Sequence, residues 1–169
     1  MFADTTVIGQ NGYSEHVHAI ILGMHSQKWK KILTKQYEKN KSLYLKLSIK
    51  PKFIDIILEF IYTQNLNLEN LQEPIEIIQL LKITIRESIT SLFDELSKNI
   101  QISLLNIFDL MHAGIEEEKI YLAFKAKIIQ FLRDNWSLLY THPDFVNYAY
   151  PGLFIYKYLV PLVNMCIEN

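Results

Sequence analysis

His16 and His18 stand two residues apart in Glu15-His-Val-His-Ala19, and on an extended chain both face one side, the arrangement two ligands of a metal ion need. A metal centre takes further donors at close spacing. Neither a third His nor a carboxylate follows at such an interval, so no metal site is expected. His25, His112 and His142 read as loop or helix-end residues that bond to solvent or to their neighbours. Nucleophilic catalysis needs an activated side chain beside a base, but no Gly-x-Ser-x-Gly elbow occurs and the single cysteine, Cys166, lies close to the C-terminus. Gly9 and Gly12 suit a turn better than a phosphate cradle, and Glu116-Glu117-Glu118 suits the start of a helix better than a cation site. The expectation is a non-enzymatic chain with no catalytic residue, no cofactor and no metal, whose work is binding.

Composition narrows what is bound. A chain of 169 residues, half of them hydrophobic and with only five Gly and five Pro, is a folded, helix-leaning globular protein. At that length folding buries about 70% of the unfolded surface. Seventeen basic residues nearly balance eighteen acidic ones, and all the basic residues but Arg86 and Arg133 are Lys, so no nucleic-acid partner is expected. A lone cysteine forms no intramolecular disulfide, which fits a reducing compartment, cytoplasmic or nuclear. The opening residues lack a basic segment followed by an apolar run, and the apolar stretch 153–163 is broken by Lys157 and Pro161, so neither a signal peptide nor a membrane partner is expected.

The elements that must position any binding surface follow from local signals. Thr5 to Ile8 and the alternating Tyr13 to His18 flank Gly9-Gln-Asn-Gly12, which predicts a β-hairpin with Asn11-Gly12 at its tip. Ala19 to Met24 and the set Trp29, Ile32, Leu33 predict two short helices parted near His25-Ser26, with Ser26 as a cap. Leu43, Leu45 and Leu47 alternate with polar residues and predict a third strand with its leucines in the core. Pro51 opens a helix whose buried face is Phe53, Ile54, Ile57, Leu58 and Ile61, ending near Thr63-Gln64-Asn65. Asn70 and Glu73 read as a capping pair for a helix with Pro74 in its first turn, and another helix follows from Ser88 or Thr90 to Leu96. Ile102 to Met111 and Glu116 to Trp136 predict a helix pair broken at Ala113-Gly114, the second helix carrying the stripe Ile120, Phe124, Ile128, Phe131. Of the late aromatics, Tyr148, Tyr150, Phe154, Tyr156 and Tyr158, most are expected to pack the last helix, with the remainder at the surface.

The order of these pieces resembles the BTB/POZ domain, a protein-interaction fold. In that family a strand-borne His precedes an Ile/Leu-rich helix ending in Ser, an aromatic follows three residues on, and an Glu-Phe-Ile-Tyr-Thr helix end closes the pattern. Here these are His18, Ile20 to Leu22, Ser26, Trp29 and Glu59 to Thr63. The resemblance implies an α+β fold, a small three-stranded sheet packed with a helical cluster, over residues 1–98. Phe131 to Asn135 and Thr141 to Phe145 resemble the opening of the helical BACK extension, which implies a BACK-like helical hairpin over 99–169.

The resemblance also implies partners. Cullin-binding members of the family carry a hydrophobic residue, any residue, then Glu after the second short helix. An ungapped match puts Tyr37-Glu38-Lys39 there, with Lys39 reversing the expected charge and Glu38 offering a one-residue shift. The implied protein-binding residues are Leu33, Tyr37, Glu38 and Lys39, and the implied function is an adaptor linking a partner to a cullin-type ubiquitin ligase through the cullin N-terminal domain. The alternative is a structural module for homo- or hetero-oligomerisation, or a monomeric relative that accepts a partner's helix. Only three residues precede Asp4, so the swapped N-terminal helix of the common dimer is not expected. Asp4 matches a first-strand acid of the family's transcriptional repressors, but Ala19 stands where the accompanying base belongs, which counts against a repressor role.

Overall fold

The computed structural model describes residues 3–39, 42–139, 141–146, 151–161 and 163. It divides into two compact units, Met1–Gln72 with Gln79–Lys98, and Glu73–Ile78 with Asn99–Asn169. The expected Tyr148, Tyr150 and Cys166 lie outside the described residues.

In the first unit β1 (Thr5–Ile8) and β2 (Ser14–Val17) form the predicted antiparallel hairpin, with Thr5 opposite Val17 and Ile8 opposite Ser14. Its turn needs left-handed backbone, and Asn11 (φ 55°) and Gly12 (φ 75°) supply it, the two residue types that adopt it at least cost. Tyr13 donates its hydroxyl proton to Asp55 at 2.6 Å, pinning the hairpin to a helix below; burial and that carboxylate push the phenol's pKa well up. β3 (Tyr44–Lys46) runs parallel to β1 with Val7 opposite Leu45, giving a three-stranded sheet in the order β2-β1-β3. Val7, Val17, Leu45 and Leu47 point into the core, as the alternation predicts.

Helices α1 (Ala19–His25) and α2 (Gln27–Glu38) part at Ser26, whose side chain caps α2 by accepting the Trp29 N–H at 3.1 Å. α3 (Pro51–Thr63) begins on its Pro and ends at Gln64 in the left-handed region (φ 60°). Gln64 offsets that conformation by donating its side-chain amide to the carbonyls of Phe60 and Ile61. Ile56 and Phe60 are buried along with the predicted stripe, so α3 is apolar nearly all round, as a helix at the centre of a unit is. α4 (Pro74–Glu87) and α5 (Thr90–Asn99) follow.

The second unit departs from the sequence reading. α6 begins at Ile107 rather than Ile102 and runs through Ala113-Gly114 to Glu116. Asn106 delays the start, because its side chain accepts the Ser103 N–H and donates to the Gln101 carbonyl, holding the preceding turn out of helix. Gly114 does not break the helix. It is a point of close approach, where a Cβ would run into the Tyr158 hydroxyl and sit 3.3 Å from the Tyr121 backbone. The break falls at Glu117, extended at φ -123° and ψ 106°, between α6 and α7 (Glu118–Asp134). α7 ends at Asp134 rather than Trp136, and its buried residues are Ile120, Phe124, Ile128, Ile129 and Leu132, with Phe131 only half-buried. After single turns at Trp136–Leu139, Pro143–Val146 and Pro151–Phe154, a π-helical turn at Ile155–Leu159 puts Tyr158 into the core and leaves Tyr156 exposed. No helix of the described residues is long and apolar enough to cross a membrane.

Candidate functional site

The strand-to-helix junction explains several of the motif residues at once. His18 donates its backbone N–H to the Tyr62 hydroxyl at 2.9 Å, and its ring Nδ1 lies 2.8 Å from the same oxygen. Asp4 accepts the Ala19 N–H at 2.7 Å, supplying a carboxylate to an otherwise uncapped first turn of α1. His16 is 3.2 Å from the Thr6 hydroxyl instead, so the two histidines serve different partners. Among the described residues no three His, Cys, Asp or Glu gather as metal ligands would.

Beyond this junction, α1 and α2 enclose an open groove of about 770 Å³, lined by Ile20, Gly23, Met24, Leu33, Tyr37 and Leu43 with polar residues between them. Its walls are apolar side chains left in solvent: Ile20 is 63% exposed, Met24 77% and Tyr37 74%. A cluster of this kind at one place is what a binding surface requires, whereas scattered exposed apolar residues are ordinary. Of the residues singled out from the sequence, Leu33 and Tyr37 come together here. Leu33 is only 5% exposed and forms the floor, while Tyr37 forms the rim. Glu38 and Lys39 are exposed at the C-terminal end of α2 but lie outside the groove's lining. The sequence does not mark Ile20 and Met24 as contacts, because an apolar run gives no sign of which members face solvent; the helical spacing of four between them is the one clue.

A polar cluster anchors α2 from beneath. Glu87, at the end of α4 and 4% exposed, accepts the Trp29 indole N–H at 3.2 Å and pairs with Lys28 and Arg86, each at 2.9 Å. Ser26 donates its hydroxyl proton to the Glu87 carbonyl at 2.6 Å. Burial pushes the Glu87 carboxyl up, but hydrogen bonds from Lys28, Arg86 and Trp29 outweigh it and hold the pKa below the ordinary glutamate value. The buried carboxylate is therefore charged and satisfied, and Trp29 is fixed between the two sides of its helix.

Comparison with known proteins bears on the same residues. Residues 1–102 match the family model of the BTB/POZ domain. Among solved structures, the chain is similar to the BTB domain of zebrafish PATZ1, at 17% identity over 57% of this chain and 73% of that one, with a TM-score of 0.44. No curated protein matches the chain.

Proposed function

The chain belongs to the BTB/POZ family, whose domains are protein-interaction modules, and on that premise we propose that it is a non-enzymatic adaptor that seats a protein partner in the α1–α2 groove. The observation that carries this reading is the groove itself, with Tyr37 and Met24 held in solvent on either side of Leu33. In its most concrete form the adaptor brings a partner to a cullin-type ubiquitin ligase, with Tyr37 as the apolar contact, Leu33 beneath it, and Glu38 and Lys39 as charged contacts beyond the groove. Residues 99–169 are then a BACK-like helical extension following a BTB domain at 1–98.

The test is the light-scattering mass of the chain alone and mixed with the N-terminal domain of a BTB-binding cullin. A complex that forms at micromolar concentration and is lost in Tyr37→Ala, with the fold intact by circular dichroism, supports the adaptor. Failure to form a complex at tens of micromolar removes the cullin. A second reading, a structural oligomerisation module, is favoured by the exposure of Ile20 and Met24 on α1, which a second copy covers as readily as another protein does. A concentration-dependent dimer abolished by Met24→Glu, with no cullin complex, supports that reading.

A further inference from the structure

On the other side of α2 a smaller groove, about 440 Å³, runs beside the sheet and is lined by Lys28, Ile32, Gln36, the strand residues 44–48, Arg86 and Glu87. β3 is the outermost strand here, and its parallel register with β1 settles which of its backbone groups face outward. Leu43 accepts from Thr6 and Leu47 donates to Ile8, so the odd-numbered residues bond inward and the backbone groups of Tyr44 and Lys46 turn toward the groove. At Tyr44 that edge is already occupied, in an instructive way. The Gln36 side-chain amide accepts the Tyr44 N–H at 2.9 Å and donates to the Tyr44 carbonyl at 3.0 Å, which is how a residue of a neighbouring strand would bond. One step further along, the edge at Lys46 opens onto the groove.

We propose that the outer edge of β3 is a strand-addition site for an extended, carboxylate-bearing segment of a partner protein. The charges choose the occupant. Lys28, Lys46 and Arg86 stand around the groove against the single carboxylate of Glu87, which pairs with Lys28 and Arg86, leaving an excess of two positive charges beside the outward-facing backbone of β3. A second copy of this chain pairing edge to edge would bring the same cationic groove against itself, and lysine on an edge is the usual means of preventing that pairing. An acidic strand meets no such opposition: its backbone bonds to Lys46, its side chains meet the cations, and it displaces the Gln36 amide from Tyr44. Gln36 thus acts as a stopper that keeps the edge bonded while it is empty. This site lies on a different face from the α1–α2 groove and does not depend on it.

The probe is a seven-residue peptide alternating Glu with Val, with its Lys-Val counterpart as control, titrated into the full chain by calorimetry and by amide NMR. The acidic peptide is expected to bind and to shift the Lys46 and Tyr44 amide resonances. Lys46→Glu, at an exposed position, is expected to weaken it about tenfold. Gln36→Ala, which unplugs Tyr44, is expected to tighten it about twofold to fivefold. The proposal is overturned if the acidic peptide fails to bind at millimolar concentration, if the Lys peptide binds equally well, if Lys46→Glu binds as tightly as the parent, or if Gln36→Ala fails to tighten binding.

Discussion

Gln27, Lys30, Leu33, Thr34 and Tyr37, spaced by three and four, line the apolar groove shared with α1, whereas Lys28, Ile32 and Gln36, spaced by four, line the cationic groove beside β3. One residue of offset turns a helix by about 100°, so a single element of twelve residues serves two surfaces without either borrowing the other's side chains. The surfaces differ in kind. The first offers exposed Ile, Met and Tyr, and binding there removes apolar area from water. The second offers backbone groups and cations, and binding there is electrostatic and therefore sensitive to salt. If both proposed sites bind, one helix divided lengthwise keeps two recognition chemistries independent.

Trp29 lies between the two faces, so removing it is the most forceful way to break the comparison. Trp29→Ala takes away a fully buried side chain and is expected to cost about 3–5 kcal/mol of stability, read as a lower denaturant midpoint, with both binding activities lost together. If one face kept its affinity while the other failed, α2 would not be their common support.

Glu87 tests the anchor by charge instead of volume. Glu87→Ala leaves the buried Trp29 indole N–H without its acceptor and is expected to cost roughly 2 kcal/mol, while Lys28 and Arg86, both partly exposed, regain water. The parent protein should show the same weakness in acid. A carboxyl held below its unfolded value of 4.5 stabilises the fold above that pH, and the contribution is lost as pH falls through the folded value. Urea midpoints measured between neutral pH and mild acid should therefore fall for the parent and fall less for Glu87→Gln.

Tyr37→Ala sharpens the contrast between the faces without touching their support. It should weaken the groove's partner about tenfold, as loss of an aromatic contact residue does, and leave the affinity for an acidic peptide unchanged. Raising salt from about 50 to about 500 mM should do the reverse, weakening the peptide severalfold and sparing the groove.

How much of this the sequence disclosed depends on how local each signal is. Asn11-Gly12, Ser26 and Pro51 act within a few residues, and the hairpin, the α2 cap and the start of α3 are legible from them. Leu33 and Tyr37 were legible as neighbours on one helix. Which of them is floor and which is rim depends on α1, packed against α2, and that is not written in α2. Gln36 carries no local signal of its role, because that role needs a strand eight residues on to be brought alongside. Glu87 is farther still, 61 residues from Ser26, and no periodicity links the two. Ala113-Gly114 misled for the opposite reason: small residues mark either a break or a close approach, and the deciding partner, Tyr158, lies more than forty residues away.

The smallest expected effect sits at the corner that follows Glu87. α4 ends with Ser88 in the left-handed region (φ 58°), the Ser88 N–H bonded to the Ile85 carbonyl and the Ile89 N–H reaching back to Thr84 at 2.8 Å, the bonding of a helix end that ordinarily carries Gly. A Cβ in that conformation costs about 1 kcal/mol, and the Ser88 side chain is exposed, so Ser88→Gly should raise stability by up to that amount, less the entropy that Gly returns to the unfolded chain. The substitution leaves the Glu87 anchor in place and alters neither groove. Both affinities should accordingly stay at their parent values while the denaturant midpoint rises. A change in either affinity would mean that the corner, and with it the placing of Arg86 and Glu87, is under tension that one of the two surfaces uses.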